Sequence, residues 1–187
     1  MRKLTCILSL FLLCWICWQA VLPERAYAAK TSTVAVVLLG SLEYQQKDYF
    51  AIAAETLGKR FDEPKYKLIV GEHPQHVFNR YSDKQGLAPG AAPTEDTLID
   101  FAWTHSFDRV LFLLMTAPSV KSNEITIQWE NAEVTVTARA IVIDSRRRLK
   151  LSDASTTQTV RMYHRSAAKK AVFQKTLEAL RDQINLS

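Results

Sequence analysis

Two stretches of this chain are apolar or β-branched at every position, and both are too short for a buried helix. Thr33 to Leu39 reads TVAVVLL and stops at Gly40, and Val110 to Met115 reads VLFLLM. Such runs, closed by turn residues, fit strands buried on both faces of a sheet. A chain holding two of them must pack helices onto that sheet.

The residues between the two runs supply those helices. Ser41 is placed to cap one that carries Phe50, Ala54, Leu57 and Phe61 at helical spacing and ends at Pro64. Tyr66 to Val70 (YKLIV) is a second short strand, closed by Gly71. Pro74 suits the first turn of a short helix reaching about Tyr81. Residues 82–93, SDKQGLAPGAAP, read as a loop long enough to carry function. Thr94, followed by Glu95 and Asp96, starts another helix. Leu98, Phe101, Ala102 and His105 share its inner face, and Trp103 is expected in the core.

Beyond Met115 the period changes to two. Ile125, Ile127 and Trp129 alternate with Thr126, Gln128 and Glu130. Val134, Val136, Ala138, Ala140 and Val142 alternate with Thr135, Thr137 and Arg139. This is a half-buried antiparallel hairpin, expected to turn near Asn131. Asp144 to Arg148 makes a second turn, and a third strand runs from Leu149 to about Tyr163. Phe173, Leu177, Leu180 and Ile184 stripe a final helix from about Ser166 to Asn185. The predicted order is β-α-β-α-α-β-β-β-β-α. That is an α/β (α+β) chain with a mixed sheet in two or three layers, an antiparallel carboxy-terminal meander and a closing helix.

The first residues carry an address. Arg2 and Lys3 precede an apolar segment from Leu4 to Leu22, which Pro23, Glu24 and Arg25 break. Ala26-Tyr27-Ala28 supplies the small–x–small pattern of a signal-peptidase site. Residues 1–28 are therefore expected to be a signal peptide and residues 29–187 a single domain. An uncleaved anchor is the alternative, because the apolar segment is long enough to span a bilayer. Neither Cys14, after Leu13, nor Cys17, after Ile16, follows the small residue that a lipidation site requires.

Cleavage changes what the composition means. The whole chain carries 24 basic and 19 acidic side chains. Losing Arg2, Lys3, Arg25 and Glu24 leaves a net charge of +3. So mild a balance on an exported domain argues against nucleic acid as partner. Cys6, Cys14 and Cys17 all lie in the leader. The mature domain thus has no disulfide framework, no cysteine nucleophile and no thiolate metal site. After cleavage no membrane span is expected.

The layout resembles a family of exported α/β domains of bacterial envelopes. It includes curli-secretion lipoproteins, lipoprotein activators of penicillin-binding proteins and the amino-terminal domain of the Tol–Pal translocation protein. The residues that carry the resemblance are Val34-Ala35-Val36, Phe107 to Leu111, the hairpin arm Val134 to Asp144, and Ala167 to Val172. Ser145-Arg146 stands where the family often has Thr-Gly. The resemblance implies a scaffold or partner-binding module, with no catalytic residues to carry over.

Four constellations were weighed for chemistry. Arg146, Arg147 and Arg148 are the densest basic cluster, and a hairpin tip there suits an acidic envelope protein or an anionic envelope surface. Trp129 joins them as a partner-binding residue if its ring is exposed. Gly40 and Ser41, at a strand-to-helix junction, form a ligand-binding candidate for a small molecule or an anion. His73 and His76 give the H-x-x-H spacing of two metal ligands without the remaining zincin residues. His105, Ser106 and Asp108 are too close in sequence to converge as a triad. The leading expectation is a non-enzymatic extracytoplasmic module, periplasmic or at the cell surface, that binds another envelope protein and uses no cofactor. The alternatives are a small-ligand or anion receptor and, behind it, a His-dependent metal enzyme.

Overall fold

The TVAVVLL run forms β1 (Ser32–Gly40), the strand around which the sheet is built. In this computed structural model the described residues are 31–61, 64–88, 91–126 and 129–186, with the backbone alone for 122–126 and 129–131. The predicted signal peptide, residues 1–28, lies outside them. β1 pairs in parallel with β2 (Tyr66–Val70) on one side and β3 (Arg109–Met115) on the other. β3 then pairs antiparallel with β5 (Trp129–Asp144), Met115 opposite Ala138. β5 outruns β3, and β4 (Ser119–Thr126) takes up the remainder of that side. On its other side β5 carries β6 (Leu149–Met162) almost end to end. The result is the mixed six-stranded sheet expected from the change of period.

Four α-helices cover it, in three layers. Val34, Val36 and Leu38 of β1 face a cluster that includes Phe50 and Leu57 of α1 (Lys47–Gly58) and Phe173 and Leu177 of α4 (Arg165–Arg181). Ala35, Val37 and Leu39 face the other way, onto Phe78 of α2 (Glu72–Lys84) and Leu98 and Phe101 of α3 (Glu95–Thr104). Successive side chains of a strand point to opposite faces, so a strand covered on both must be apolar throughout. That is the physical reason for the composition of β1 and β3. Only one face of β5 is fully covered. Its Val134, Val136, Ala138 and Ala140 are buried, while Thr137 and Arg139 are exposed. The α2–α3 layer ends before reaching them.

Several local expectations change. Ser41 precedes a short 3₁₀ helix, Leu42–Tyr44, and its side chain makes no capping bond; α1 starts later, after Gln46. The inner face of α1 is Tyr49, Phe50, Ala53, Thr56 and Leu57, with Ala54 exposed. Phe50, Leu57 and Phe61 are buried as their spacing predicts, and Ala53 takes the inward place expected of Ala54. α2 continues to Lys84, past Tyr81, so the loop that follows is shorter than residues 82–93; residues 89 and 90 of it lie outside the described residues. Asn131 is not the hairpin turn. It pairs with Asn123 inside the ladder, and Thr126 pairs with Trp129. Turn propensity at one Asn is overridden by pairing of the two arms.

Gly40 ends β1 at φ +88, and a Cβ there would sit 2.1 Å from the Met115 carbonyl oxygen. Glycine is required both by the backbone conformation and by the close approach of β3.

Candidate functional site

Asp144, the last residue of β5, organises the turn into β6. Its Oδ1 accepts the Arg146 and Arg147 amides at 3.0 and 2.9 Å, a side-chain bond of the kind that fixes tight turns. The buried Ser145 donates its amide to the Asp108 carbonyl. Arg148 then closes the turn at φ 53. It is the only described non-glycine residue at positive φ. In that region a side chain crowds the following carbonyl, at a cost of about 1–2 kcal/mol.

The three arginines of this turn are exposed and differ in their partners. Arg146 Nη2 lies 2.7 Å from Asp108 Oδ1. The other oxygen of Asp108 accepts both the amide and the hydroxyl of Thr33, at 2.9 Å each. The carboxylate therefore ties β1, the start of β3 and the turn together. Arg148 lies over the indole of Trp103, its guanidinium carbon 3.8 Å from the ring centroid. Among the described residues, Arg147 has no side-chain partner. Lys150, two residues on, bonds Glu95 at the start of α3 and Asp153 of β6.

Trp103 is the principal correction. The last turn of α3 holds its ring outward at 50% exposure, not in the core, and Leu149 beside the turn is 54% exposed. The core side of α3 is filled by Leu98, Phe101 and Ala102. Together Trp103, Leu149 and the arginines make a surface that is aromatic, apolar and cationic at once. Nothing local in the α3 sequence pointed to this, because the stacking residue lies 45 positions later in the chain. The Trp129 side chain lies outside the described residues.

Gly40 and Ser41 line a second feature, a cleft of about 700 Å³ at the carboxyl ends of β1 and β3. Leu114, Met115, Ala117 and Ala138 give it apolar walls, and Arg139 and Ser155 stand on its open side. The Ser41 amide is already donated to the Met115 carbonyl at 3.1 Å. Thr116 and Thr137 are likewise bonded to each other, through Thr116 Oγ1. Arg139 forks Asp153 at 2.7 and 2.6 Å, which holds that carboxyl down at about 2, with Lys150 assisting. The Ser41 amide, Thr116 and Arg139 are thus bonded within the protein, beside the apolar walls of the cleft.

His73 and His76 sit one helical turn apart, both exposed, at the start of α2. His73 lies edge-on to the Phe107 ring. Among the described residues no group of three or more His, Cys, Asp or Glu side chains is placed to hold a metal ion. His105 bonds the Phe101 carbonyl and lies against the Phe101 ring, while Asp108 is engaged with Thr33 and Arg146; the two take separate structural roles. No helix among the described residues is long and apolar enough to cross a membrane.

No protein-family model matches the sequence, and no curated protein does. Solved structures similar to this chain include bacterial lipoproteins and LpoB carboxy-terminal domains. A lipoprotein of Neisseria meningitidis is similar at 18% identity, over 83% of this chain and 99% of that one, with a TM-score of 0.47. A minor lipoprotein of Acinetobacter baumannii is similar at 10% identity, over 82% and 90%, with a TM-score of 0.35. The LpoB carboxy-terminal domain of Salmonella enterica is similar at 12% identity, over 77% and 92%, with a TM-score of 0.35.

Proposed function

We propose that the chain is exported, loses residues 1–28, and acts as a non-enzymatic extracytoplasmic module that binds another envelope protein through the Arg146–Arg148 turn. One observation carries the reading: Arg148 adopts a left-handed backbone conformation while its guanidinium covers a half-exposed Trp103. Strain of that kind is kept where the surroundings over-determine it, and it clusters at functional sites. Tryptophan and arginine dominate the binding energy of protein interfaces. Here the pair is held in place before any partner arrives, which spares about 0.5–1.5 kcal/mol of ordering per side chain. The partner carries carboxylates to meet Arg147 and Arg148 and an apolar surface to cover Trp103 and Leu149. Anionic headgroups would satisfy the charges but leave the indole without a specific contact.

The test is a photo-crosslinking residue placed at exposed position 104, beside Trp103, in intact cells. A discrete adduct with one envelope protein, absent when the same probe stands at exposed Lys175 on the opposite layer, supports the reading. Equal labelling from both positions, or none, removes it.

The cleft beside Gly40 and Ser41 favours a second reading, a receptor for a small ligand. Because the Ser41 amide is committed to Met115, that ligand is an apolar molecule and not a free anion. A rise in melting temperature with an envelope-derived apolar compound, abolished by Ala117→Lys at an exposed wall of the cleft, tests it.

A further inference from the structure

Among the described residues three strands leave one side without a ladder partner, β2, β4 and β6, and β2 and β6 are built differently. β2 is short and carries Lys67. Shortness and an edge lysine are standard protections against pairing with another chain. β6 has neither protection along its middle. From Ala154 to Val160 it reads ASTTQTV, without charge or proline. Its register with β5 runs unbroken from Ser152 to Met162, and the only irregularity falls next to the turn. Among the described residues β5 is its only ladder partner, so the outward N–H and C=O groups of this stretch face solvent.

The stretch is also complementary to itself. Directly opposed residues of an antiparallel pair lie on the same face of the sheet. Thr157 is the midpoint of Ser152 to Met162. A two-fold axis through it sets Ser152 opposite Met162, Ala154 opposite Val160, Ser155 opposite Thr159, and Asp153 opposite Arg161. On the exposed face Arg161 already pairs with Glu133, and Asp153 with Arg139. Joining two copies therefore sets Arg161, paired with Glu133, opposite Asp153 of the second copy, which Arg139 of that copy reaches diagonally from the neighbouring row. The next row sets Thr159, bonded to Thr135, opposite Ser155, and the central row sets Thr157, bonded to Thr137, opposite itself. Moving the axis by one residue in either direction puts Arg161 opposite Leu151 or Ser155, and the contact with Asp153 is lost. α4 covers the other face of β5 and β6, so both copies keep their helices on the same side.

We propose that β6 is a self-association edge, at which two copies of this chain pair antiparallel about Thr157 to form one continuous sheet. The partner at this edge is a second copy of the chain; the pairing does not involve the Trp103 surface, so either proposal can fail alone.

Disulfide trapping with the full chain in cells tests both the pairing and its register. Thr157 meets itself across the axis, whereas Thr159, two residues away on the same face, meets Ser155. Thr157→Cys is expected to give a disulfide-linked dimer on oxidation. Thr159→Cys alone gives none, but does when co-expressed with Ser155→Cys. The wild-type chain, whose three cysteines Cys6, Cys14 and Cys17 all lie within residues 1–28, is the background control. A second measurement guards against oxidation artefacts: the purified exported chain sediments at twice its monomer mass, and Thr157→Glu, which opposes two carboxylates at an exposed site, sediments at the monomer mass. A monomer for the wild type overturns the proposal. So does trapping at Thr159→Cys as efficient as at Thr157→Cys.

Discussion

The side-chain oxygen of Gln75 accepts the Leu38 amide hydrogen at 3.0 Å in the interior of the molecule. β2 stops at Val70, opposite Val36, so Leu38 has no strand partner on that side. Gln75, in the first turns of α2, takes the place of the missing strand, and Asn79 fixes its amide by accepting from Nε2. Gln75→Leu removes the acceptor and leaves a buried N–H unpaired. The expected loss is about 1–3 kcal/mol, read as a lower urea midpoint with an unchanged slope.

Gly40 allows no side chain. Gly40→Ala adds a methyl against the Met115 carbonyl and forces alanine to a positive φ. Backbone strain alone costs about 1–3 kcal/mol, and the clash adds to it by pushing β1 and β3 apart at the cleft. The melting temperature of Gly40→Ala should fall further than that of Gly58→Ala, where the added methyl meets nothing.

Asp153 makes stability depend on acid. Its carboxyl is held down at about 2, first by the Arg139 guanidinium and then by Lys150, against a desolvation that opposes them. A lowered folded-state value contributes stability that is complete above the ordinary carboxylate range. It is lost as pH falls from about 4 through 2. The difference in melting temperature between wild type and Asp153→Asn should be constant from pH 7 to about 5 and shrink below it.

Tyr81 acts at the other end of the scale. Burial, and then the bond to Asp100 Oδ2 at 2.7 Å, push its hydroxyl up to about 12. The folded state therefore resists deprotonation. The stabilisation is full below pH 10 and is lost as pH rises from 10 to about 12. Tyr81→Phe should lower stability near neutrality by about 1 kcal/mol and blunt the loss seen in base.

The parts legible in the sequence are those where one residue reports on its own burial. The unbroken apolar runs of β1 and β3 and the stripe Phe173, Leu177, Leu180 of α4 state their faces directly. Alternation marked β5, and Asp144 with the following arginines marked the turn that leads into β6. What was not legible depends on partners distant in the chain. Gln75 looks like any polar helix residue until Leu38 is placed beside it, 37 positions away. Trp103 has a core composition and lies at the surface because Arg148 covers it. Asn131 carries turn propensity but is held straight by Asn123. The arginine cluster was visible as charge; its division into a tethered Arg146, a stacked Arg148 and an unpaired Arg147 was not.

The central claim is that the strained Arg148 serves binding and not folding, and Arg148→Gly tests it most directly. Glycine adopts φ 53 without crowding, so relief of strain offsets the lost contact with Trp103. The measurement is thermal melting of Arg148→Gly beside its capture by the envelope protein crosslinked at position 104. The account predicts a melting temperature equal to or above that of the wild type, with capture lost. Capture at the wild-type level, with the fold intact, would contradict it.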